Sequence, residues 1–270
     1  MGEHVIQNPD INVGPGSYKG FANDELLVVG EPFYTIQGEG PYAGHPALFV
    51  RLAGCNRGAK DSMGCAFCDT AFQFNLGRVL TFNQIELELL DRLQVSVTSK
   101  RPMLVITGGE PMMQNNLAAF CHYLLMHKWP LIQIESNGDR LVPGLPETDS
   151  VRLVVSPKVS RNPTTGEWEY REPKPAMLAR VNSFKFLIEA IAGSPYNMPP
   201  RWTDTCGSPV YISPITHYAR PVVAGEHPTL WNHRLVDVPR TRANYTYAAE
   251  LAMRYGYRLS HQSHLLWGVP

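Results

Sequence analysis

Short apolar runs that alternate with stretches of helical period predict an α/β protein with a parallel sheet. The strand-like runs lie at residues 47–53, 103–107, 131–135, 151–155, 183–188 and 210–213, and their apolar content is that of strands buried on both faces. Four of them stop at polar or Gly/Pro motifs: Gly108-Gly109-Glu110-Pro111, Ser136-Asn137-Gly138, Ser156-Pro157-Lys158 and Pro214. In parallel α/β folds the C-terminal edge of the strands is where ligands bind. Six such strands predict a curved, partial (β/α)6 barrel of TIM-like construction.

In chain order, residues 1–30 are rich in Gly, Asn and Pro and read as an irregular extension, with residues 31–270 as a single domain. The run at 47–53 leads directly into a cysteine cluster. Thr81 with Gln84 three residues later is a capping box, and Phe82, Ile85, Leu89 and Leu93 then share one helical face. A second apolar stripe, Leu117, Phe120, Cys121, Leu124 and Leu125, marks another helix in which Cys121 packs as a small hydrophobe. Residues 161–175 and 193–208 read as loop insertions, and Tyr245, Ala248, Ala252 and Tyr255 mark a late amphipathic helix. Chain ends are usually polar and frayed, yet this one closes on His264-Leu265-Leu266-Trp267-Gly268-Val269-Pro270. No internal repeat or low-complexity tract interrupts the pattern.

With 270 residues, 44% of them hydrophobic, the chain can bury a sizeable core. Twenty-four basic and 24 acidic residues balance, and no basic block gives a nucleic acid or an anionic membrane an electrostatic foothold. A small-molecule substrate is the better expectation. No apolar run approaches the roughly 18 residues of a spanning helix, and no charged-then-apolar leader pattern opens the chain. Ile6 occupies the position where myristoylation needs Ser or Thr. An odd number of cysteines, three of them clustered, suits a reducing compartment, so a cytoplasmic protein is expected.

Cys55, Cys65 and Cys68 fall within fourteen residues, while Cys121 and Cys206 stand apart. A closed zinc site wants four Cys or His ligands, and an iron-sulfur cluster normally takes four thiolates. His45 lies on the wrong side of a strand-like run to be the fourth. Three thiolates could hold three irons of a 4Fe-4S cube and leave the last iron open to a ligand. Zinc with a distant fourth ligand, or redox or inert thiols, are the other readings the spacing allows.

Together, the cysteine cluster ending in Cys65-Ala66-Phe67-Cys68-Asp69-Thr70, the run Thr35-Ile36-Gln37-Gly38-Glu39-Gly40, and Phe49-Val50-Arg51-Leu52-Ala53-Gly54-Cys55 resemble the 7-carboxy-7-deazaguanine synthases, a branch of the radical S-adenosylmethionine (SAM) enzymes. The cysteines here are spaced C-x9-C-x2-C rather than the usual C-x3-C-x2-C, and the extra residues between Asn56 and Gly64 are polar or glycine-rich. Lengthening a surface loop costs little, roughly 0.6 kcal/mol per doubling, and this branch is known for longer excursions here. The resemblance covers most of the chain from residue 31 onward.

It implies a radical SAM core and a lyase that converts 6-carboxy-5,6,7,8-tetrahydropterin to 7-carboxy-7-deazaguanine with loss of ammonia, on the route to queuosine precursors and other 7-deazapurines. Cys55, Cys65 and Cys68 would ligate a 4Fe-4S cluster, and Thr70 would bind Mg²⁺, an ion that prefers oxygen ligands and leaves positions for substrate and water. Ala66, Phe67, Asp69, Gly109, Glu110, Ser156, Lys158, Ser213, Pro214, Ile215 and Thr216 would contact SAM. Ile36, Gln37, Gly38, Glu39, Arg51, Thr107 and Glu135 would line the pterin pocket, with Glu135 also transferring a proton. A pterin presents a donor-acceptor edge that Gln and Glu can read, and its carboxylate suits the planar fork of Arg. His264 and the terminal Pro270 match a pattern in which the end of the chain folds back onto the substrate. A homodimer and an external electron donor of the flavodoxin or ferredoxin type are implied as partners. Two other readings remain, a radical SAM activase that installs a glycyl radical on a partner protein and a non-catalytic zinc or iron-sulfur binding module.

Overall fold

The computed structural model describes residues 22–57, 77–93, 101–220, 229–230, 232 and 234–269. Its strands in chain order are β1 (Glu25–Val29), β2 (Phe33–Ile36), β3 (Pro46–Leu52), β4 (Gly77–Thr81), β5 (Met103–Gly108), β6 (Ile132–Ser136), β7 (Val151–Val155), β8 (Val159–Arg161), β9 (Trp168–Tyr170), β10 (Ser183–Ile188), β11 (Val210–Pro214) and β12 (Arg258–Leu259). The helices are α1 (Phe82–Leu93), α2 (Leu117–Met126), α3 (Pro175–Arg180), α4 (Val238–Tyr255) and α5 (Ser263–Trp267). All six expected strands are present, and the fold is α/β with mostly parallel strands. No helix among the described residues is long and apolar enough to cross a membrane.

The chain divides into two compact units. Among the described residues, the first comprises 22–34, 47–57, 77–93, 101–136 and 140–152. Its strands β3, β5 and β6 are parallel neighbours, with Ala47 beside Met103 and Leu104 beside Ile132. Period-two alternation gives these strands two faces. Leu48, Val50, Leu52, Leu104, Ile106, Ile132 and Ile134 share one, fully buried. Phe49, Arg51, Val105, Thr107, Gln133 and Glu135 share the other.

Residues 25–29 are not part of an irregular extension. The Glu-Leu-Leu-Val-Val run forms β1, antiparallel to β3 and to β4, and buries Leu26, Leu27 and Val28. Five residues beside a Gly/Asn/Pro-rich stretch are a weak signal, but their burial across two pairings overrides it. The segments read as loop insertions likewise contain structure, the β8–β9 hairpin and one turn of 3-10 helix at Arg201–Asp204.

The capping box at α1 is formed as predicted: the Thr81 N–H donates to Gln84 Oε1 at 2.9 Å, and the Gln84 N–H donates to Thr81 Oγ1 at 3.2 Å. Phe82, Ile85 and Leu89 face inward, and so does Glu86. Cys121 on α2 is fully buried, as its apolar stripe predicts. Glu86 survives at 4% exposure because four donors surround it. Trp129 Nε1 donates at 3.1 Å, Tyr123 Oη at 2.9 Å and Arg101 Nη1 at 3.0 Å, and His127 Nδ1 closes the ring. Burial pushes the Glu86 carboxyl up, but hydrogen bonds from Trp129, Tyr123 and His127 and the His127 charge outweigh it and hold the pKa below the usual carboxylate range. Burial, with the hydrogen bond to Glu86 and its charge, pushes the Tyr123 phenol up to about 12, so Tyr123 stays a donor.

The second unit comprises residues 35–46, 137–139 and the described part of 153–269. Here β10 pairs in parallel with β7 and β11, and β11 with β12. Among the described residues, β4 pairs with β1 in the first unit and β12 with β11 in the second. Phe184 and Phe186 turn to one side of β10 and meet Trp202 and Tyr170 edge-on, with ring centroids 5.0–5.7 Å apart. On α4 the buried positions are Thr241, Asn244, Ala248 and Leu251 rather than the Tyr245, Ala248, Ala252 and Tyr255 stripe. The polar residues explain the rotation. Asn244 Oδ1 accepts from the Ala190 N–H and its Nδ2 donates to the Ile215 carbonyl, both at 2.8 Å, so a buried amide is fully used.

Glu86→Gln should lower stability at pH 7 by about 2–4 kcal/mol, because a neutral amide faces donors arranged for a carboxylate. A group whose folded pKa is depressed stabilises above its unfolded pKa and loses that contribution as pH falls through the folded value. Urea denaturation should therefore show the gap between wild type and Glu86→Gln narrowing below about pH 4.5. A gap constant down to pH 3 would contradict the charged network.

Candidate active site

In the first unit the ends of β3 and β5 meet backbone to backbone. Leu52 lies beside Gly108, the Gly109 N–H donates to the Leu52 carbonyl at 3.0 Å, and the Glu110 N–H donates to Gly54 at 2.7 Å. A Cβ on Gly109 would sit 2.0 Å from the Gly54 oxygen and 3.1 Å from Cys55 Cβ, and one on Gly108, at φ 125°, would sit 2.1 Å from the Leu52 oxygen. The glycines are therefore required by the backbone that carries Cys55. Cys55 is half-buried, and its Sγ accepts from the Arg57 N–H at 3.4 Å. Such an amide favours the thiolate form that a metal ligand needs.

Glu110 is 1% exposed and caps the 3-10 helix Pro111–Met113. Its Oε1 accepts from the Met112 N–H at 3.0 Å and from Ser136 Oγ at 2.8 Å. Arg51 lies beside Thr107 in the β3–β5 register, and Thr107 Oγ1 donates to Glu135 Oε2 at 3.3 Å. Gln133 Nε2 donates to the other Glu135 oxygen at 2.9 Å, and the Arg51 guanidinium lies 5.2 Å over the Phe33 ring. Arg51, Thr107 and Glu135 thus form one polar row near the C-terminal ends of three parallel strands.

The second unit holds the other group. Ile36 ends β2, and the Gln37-Gly38-Glu39 loop that follows is pinned at several points. The Gln37 N–H donates to His45, the Glu39 N–H to Gln37 Oε1, the Gly40 N–H to Ser260 Oγ and the Ser263 N–H to Gly38, at 2.7–3.1 Å. A Cβ on Gly38 would lie 2.2 Å from His264 Nδ1, so this loop and α5 pack without a side chain between them. The expected residues Gln37, Gly38, Glu39 and His264 are brought together. Ser156 Oγ accepts from Lys158 Nζ at 2.7 Å, and Thr216 Oγ1 hydrogen-bonds Gln262 Oε1. Ser213 is fully buried and its Oγ has no partner among the described residues. Pro214 lies beside Ile188, whose carbonyl accepts from the Ile215 N–H at 2.9 Å.

Sequence reasoning missed Lys185. It sits in Ser-Phe-Lys-Phe-Leu-Ile at 8% exposure, and its Nζ ion-pairs with Glu39 Oε2. Burial pushes the Glu39 carboxyl up, but the Lys185 charge and hydrogen bond, with smaller help from His264 and Gln262, bring it down to about 2. The signal was present, since one ammonium inside an apolar strand needs a counter-charge. Cys65, Ala66, Phe67, Cys68, Asp69, Thr70 and Pro270 lie outside the described residues.

Parallel strands whose C-terminal ends carry a polar row and a glycine-lined cysteine define an α/β protein of the class that binds its ligands at that edge. The chain is 31% identical over 274 residues to a 7-carboxy-7-deazaguanine synthase of Rhodospirillum rubrum, covering 96% of each chain. A synthase of the same name from Rickettsia prowazekii is 30% identical, over 90% of this chain and 88% of its own. Among solved structures, QueE from Escherichia coli shares the fold at a TM-score of 0.53 and 22% identity, over 88% of this chain and 94% of that one. No protein-family model matches the chain. The protein belongs to the 7-carboxy-7-deazaguanine synthase family.

Gly109→Ala should destabilise the protein by about 2–4 kcal/mol through overpacking alone, since its φ is not in the left-handed region. Denaturant titration checks this. A loss under about 0.5 kcal/mol would show that the two strand ends part freely.

Proposed function

We propose that this protein converts 6-carboxy-5,6,7,8-tetrahydropterin to 7-carboxy-7-deazaguanine with release of ammonia. The observation that carries the reading is the 31% identity to a synthase of that name over 96% of both chains. In this reading Cys55, Cys65 and Cys68 hold a 4Fe-4S cluster. The backbone amide on Cys55 Sγ supports it as a thiolate ligand. Ala66, Phe67, Asp69, Gly109, Glu110, Ser156, Lys158 and the Ser213–Thr216 stretch would hold SAM, and the fully buried Ser213 hydroxyl, unmatched among the described residues, supports a polar ligand there. When bound, cluster and SAM supply the one-electron chemistry that removes a substrate hydrogen. Thr70 offers Mg²⁺ a hydroxyl oxygen.

The protein's own side chains bind and orient the pterin. Arg51 takes its carboxylate as a planar fork. Ile36, Gln37, Gly38, Glu39 and Thr107, with His264 and Pro270, shape the pocket and read the pterin's donors and acceptors. Glu135 moves the proton. The hydrogen bonds from Thr107 and Gln133 to its two oxygens support that role, because they fix its direction. With β1 counted in, the reading places residues 25–270 in one catalytic domain of a cytoplasmic homodimer served by a flavodoxin- or ferredoxin-type donor.

The test is anaerobic reconstitution of the cluster, followed by SAM, a strong reductant, Mg²⁺ and the carboxytetrahydropterin, with mass spectrometry for the deazaguanine. Product should form with the wild type and vanish with Cys68→Ala. If 5'-deoxyadenosine appears without that product, the substrate assignment fails. Glu135→Gln should lower kcat by about 10²–10⁴-fold with KM little changed, and a wild-type rate would remove Glu135 from the chemistry.

A further inference from the structure

Lys185 is nearly buried, 8% exposed, in the middle of β10. Its neighbours in the chain, Phe184 and Phe186, turn into the aromatic cluster on the opposite side of the strand. Lys185 therefore shares a face with Ser183 and Leu187, and with their register partners Tyr211 and Ser213 on β11. From that polar face it reaches Glu39, which is extended at φ −140° and ψ 159°.

The loop around Glu39 is tied down on both sides. Gly38 accepts from the Ser263 N–H, and Gly40 donates to Ser260 Oγ. Gln262, whose Oε1 accepts from Thr216, adds a smaller influence that holds the Glu39 carboxyl down. Among the described residues, the charged or titratable groups facing Glu39 are Lys185 from β10, His264 from α5 and Tyr245 from α4.

Stability does not account for this arrangement. A buried ion pair contributes little net stability, and apolar residues of similar volume usually serve a fold as well or better. What a buried lysine does achieve is to keep a carboxylate ionised and aimed in a place where it would otherwise take up a proton. We propose that Lys185 is a positioning residue for substrate recognition: it holds Glu39 as a fixed, charged acceptor for the N–H donors of the pterin. The proposal rests on the assignment of Glu39 to the pterin pocket made above. Without Lys185, burial would dominate and Glu39 would titrate at a higher pH.

The experiment compares reconstituted holoenzymes of the wild type, Lys185→Met, Lys185→Arg, Glu39→Gln and the Lys185→Met/Glu39→Gln double variant. KM and Kd for 6-carboxytetrahydropterin are measured at pH 6 and pH 8, with melting temperatures alongside. Lys185→Met should weaken pterin binding about 30-fold or more at pH 6, the range for stripping a buried charge of its partner. Binding by that variant should recover toward pH 8 relative to wild type, as Glu39 ionises. Lys185→Arg should restore binding to within about fivefold. In the Glu39→Gln background, Lys185→Met should add less than about threefold, because its target is gone.

If Lys185→Met lowers the melting temperature but binds the pterin as wild type does, Lys185 serves the fold alone and the proposal fails. It fails equally if the two substitutions multiply in full or if the pH dependence of Lys185→Met matches wild type. Should Lys185→Met not fold, the double variant decides, since it buries no unpaired charge: binding like that of Glu39→Gln supports the proposal, and a further loss of tenfold or more overturns it. A wild type that neither binds nor converts the pterin would overturn the reading of the site itself, and the proposal with it.

Discussion

Where β3 and β5 end, two backbones touch with no side chain between them, and the candidate site depends on that contact. The Gly109 and Glu110 amides donate to Leu52 and Gly54, three residues and one residue ahead of Cys55. Because the peptide groups themselves make the contact, Cys55 inherits the rigidity of a parallel strand pair. A site held this way gains precision from the scaffold, which loop-borne residues gain only from added support.

The rest of the first unit is built to keep that strand pair in place. One face of β3, β5 and β6 is uniformly apolar and fully buried, and the other carries Arg51, Thr107, Gln133 and Glu135. The helices are secured elsewhere, by the Thr81–Gln84 box and by the four donors around Glu86. Glu86 and Asn244, which belong to the fold, are well supplied with partners. Ser213, by contrast, is buried with its hydroxyl unmatched among the described residues, and it lies on the face proposed for a ligand.

Much of this was legible in the sequence, and the exceptions have physical reasons. The six parallel strands are apolar runs bounded by Gly, Pro and Ser, so periodicity finds them. β1 was lost because five residues beside a glycine- and asparagine-rich stretch carry too little pattern, although three of them are buried. The inward face of α4 was misjudged because Asn244 and Thr241 are buried through hydrogen bonds, which a hydrophobic stripe cannot register. In the site, the Gly108-Gly109-Glu110-Pro111 motif was legible as the end of a strand, but that its glycines meet the Cys55-bearing backbone was not. Lys185 was passed over because its counter-charge lies 146 residues away in sequence.

Lys185 has one more consequence, for how β10 finds its place. Sliding the strand by a single residue exchanges its two faces. The ammonium would then enter the space of Phe184 and Phe186, against Trp202 and Tyr170 and away from Glu39. Apolar residues on both sides of a strand tolerate such a slip, and in this strand Lys185 is the one charged residue, with Ser183 the only other polar one. The lysine therefore marks the register: it makes one alignment of β10 with β7 and β11 far better than its neighbours, during folding and before any ligand arrives.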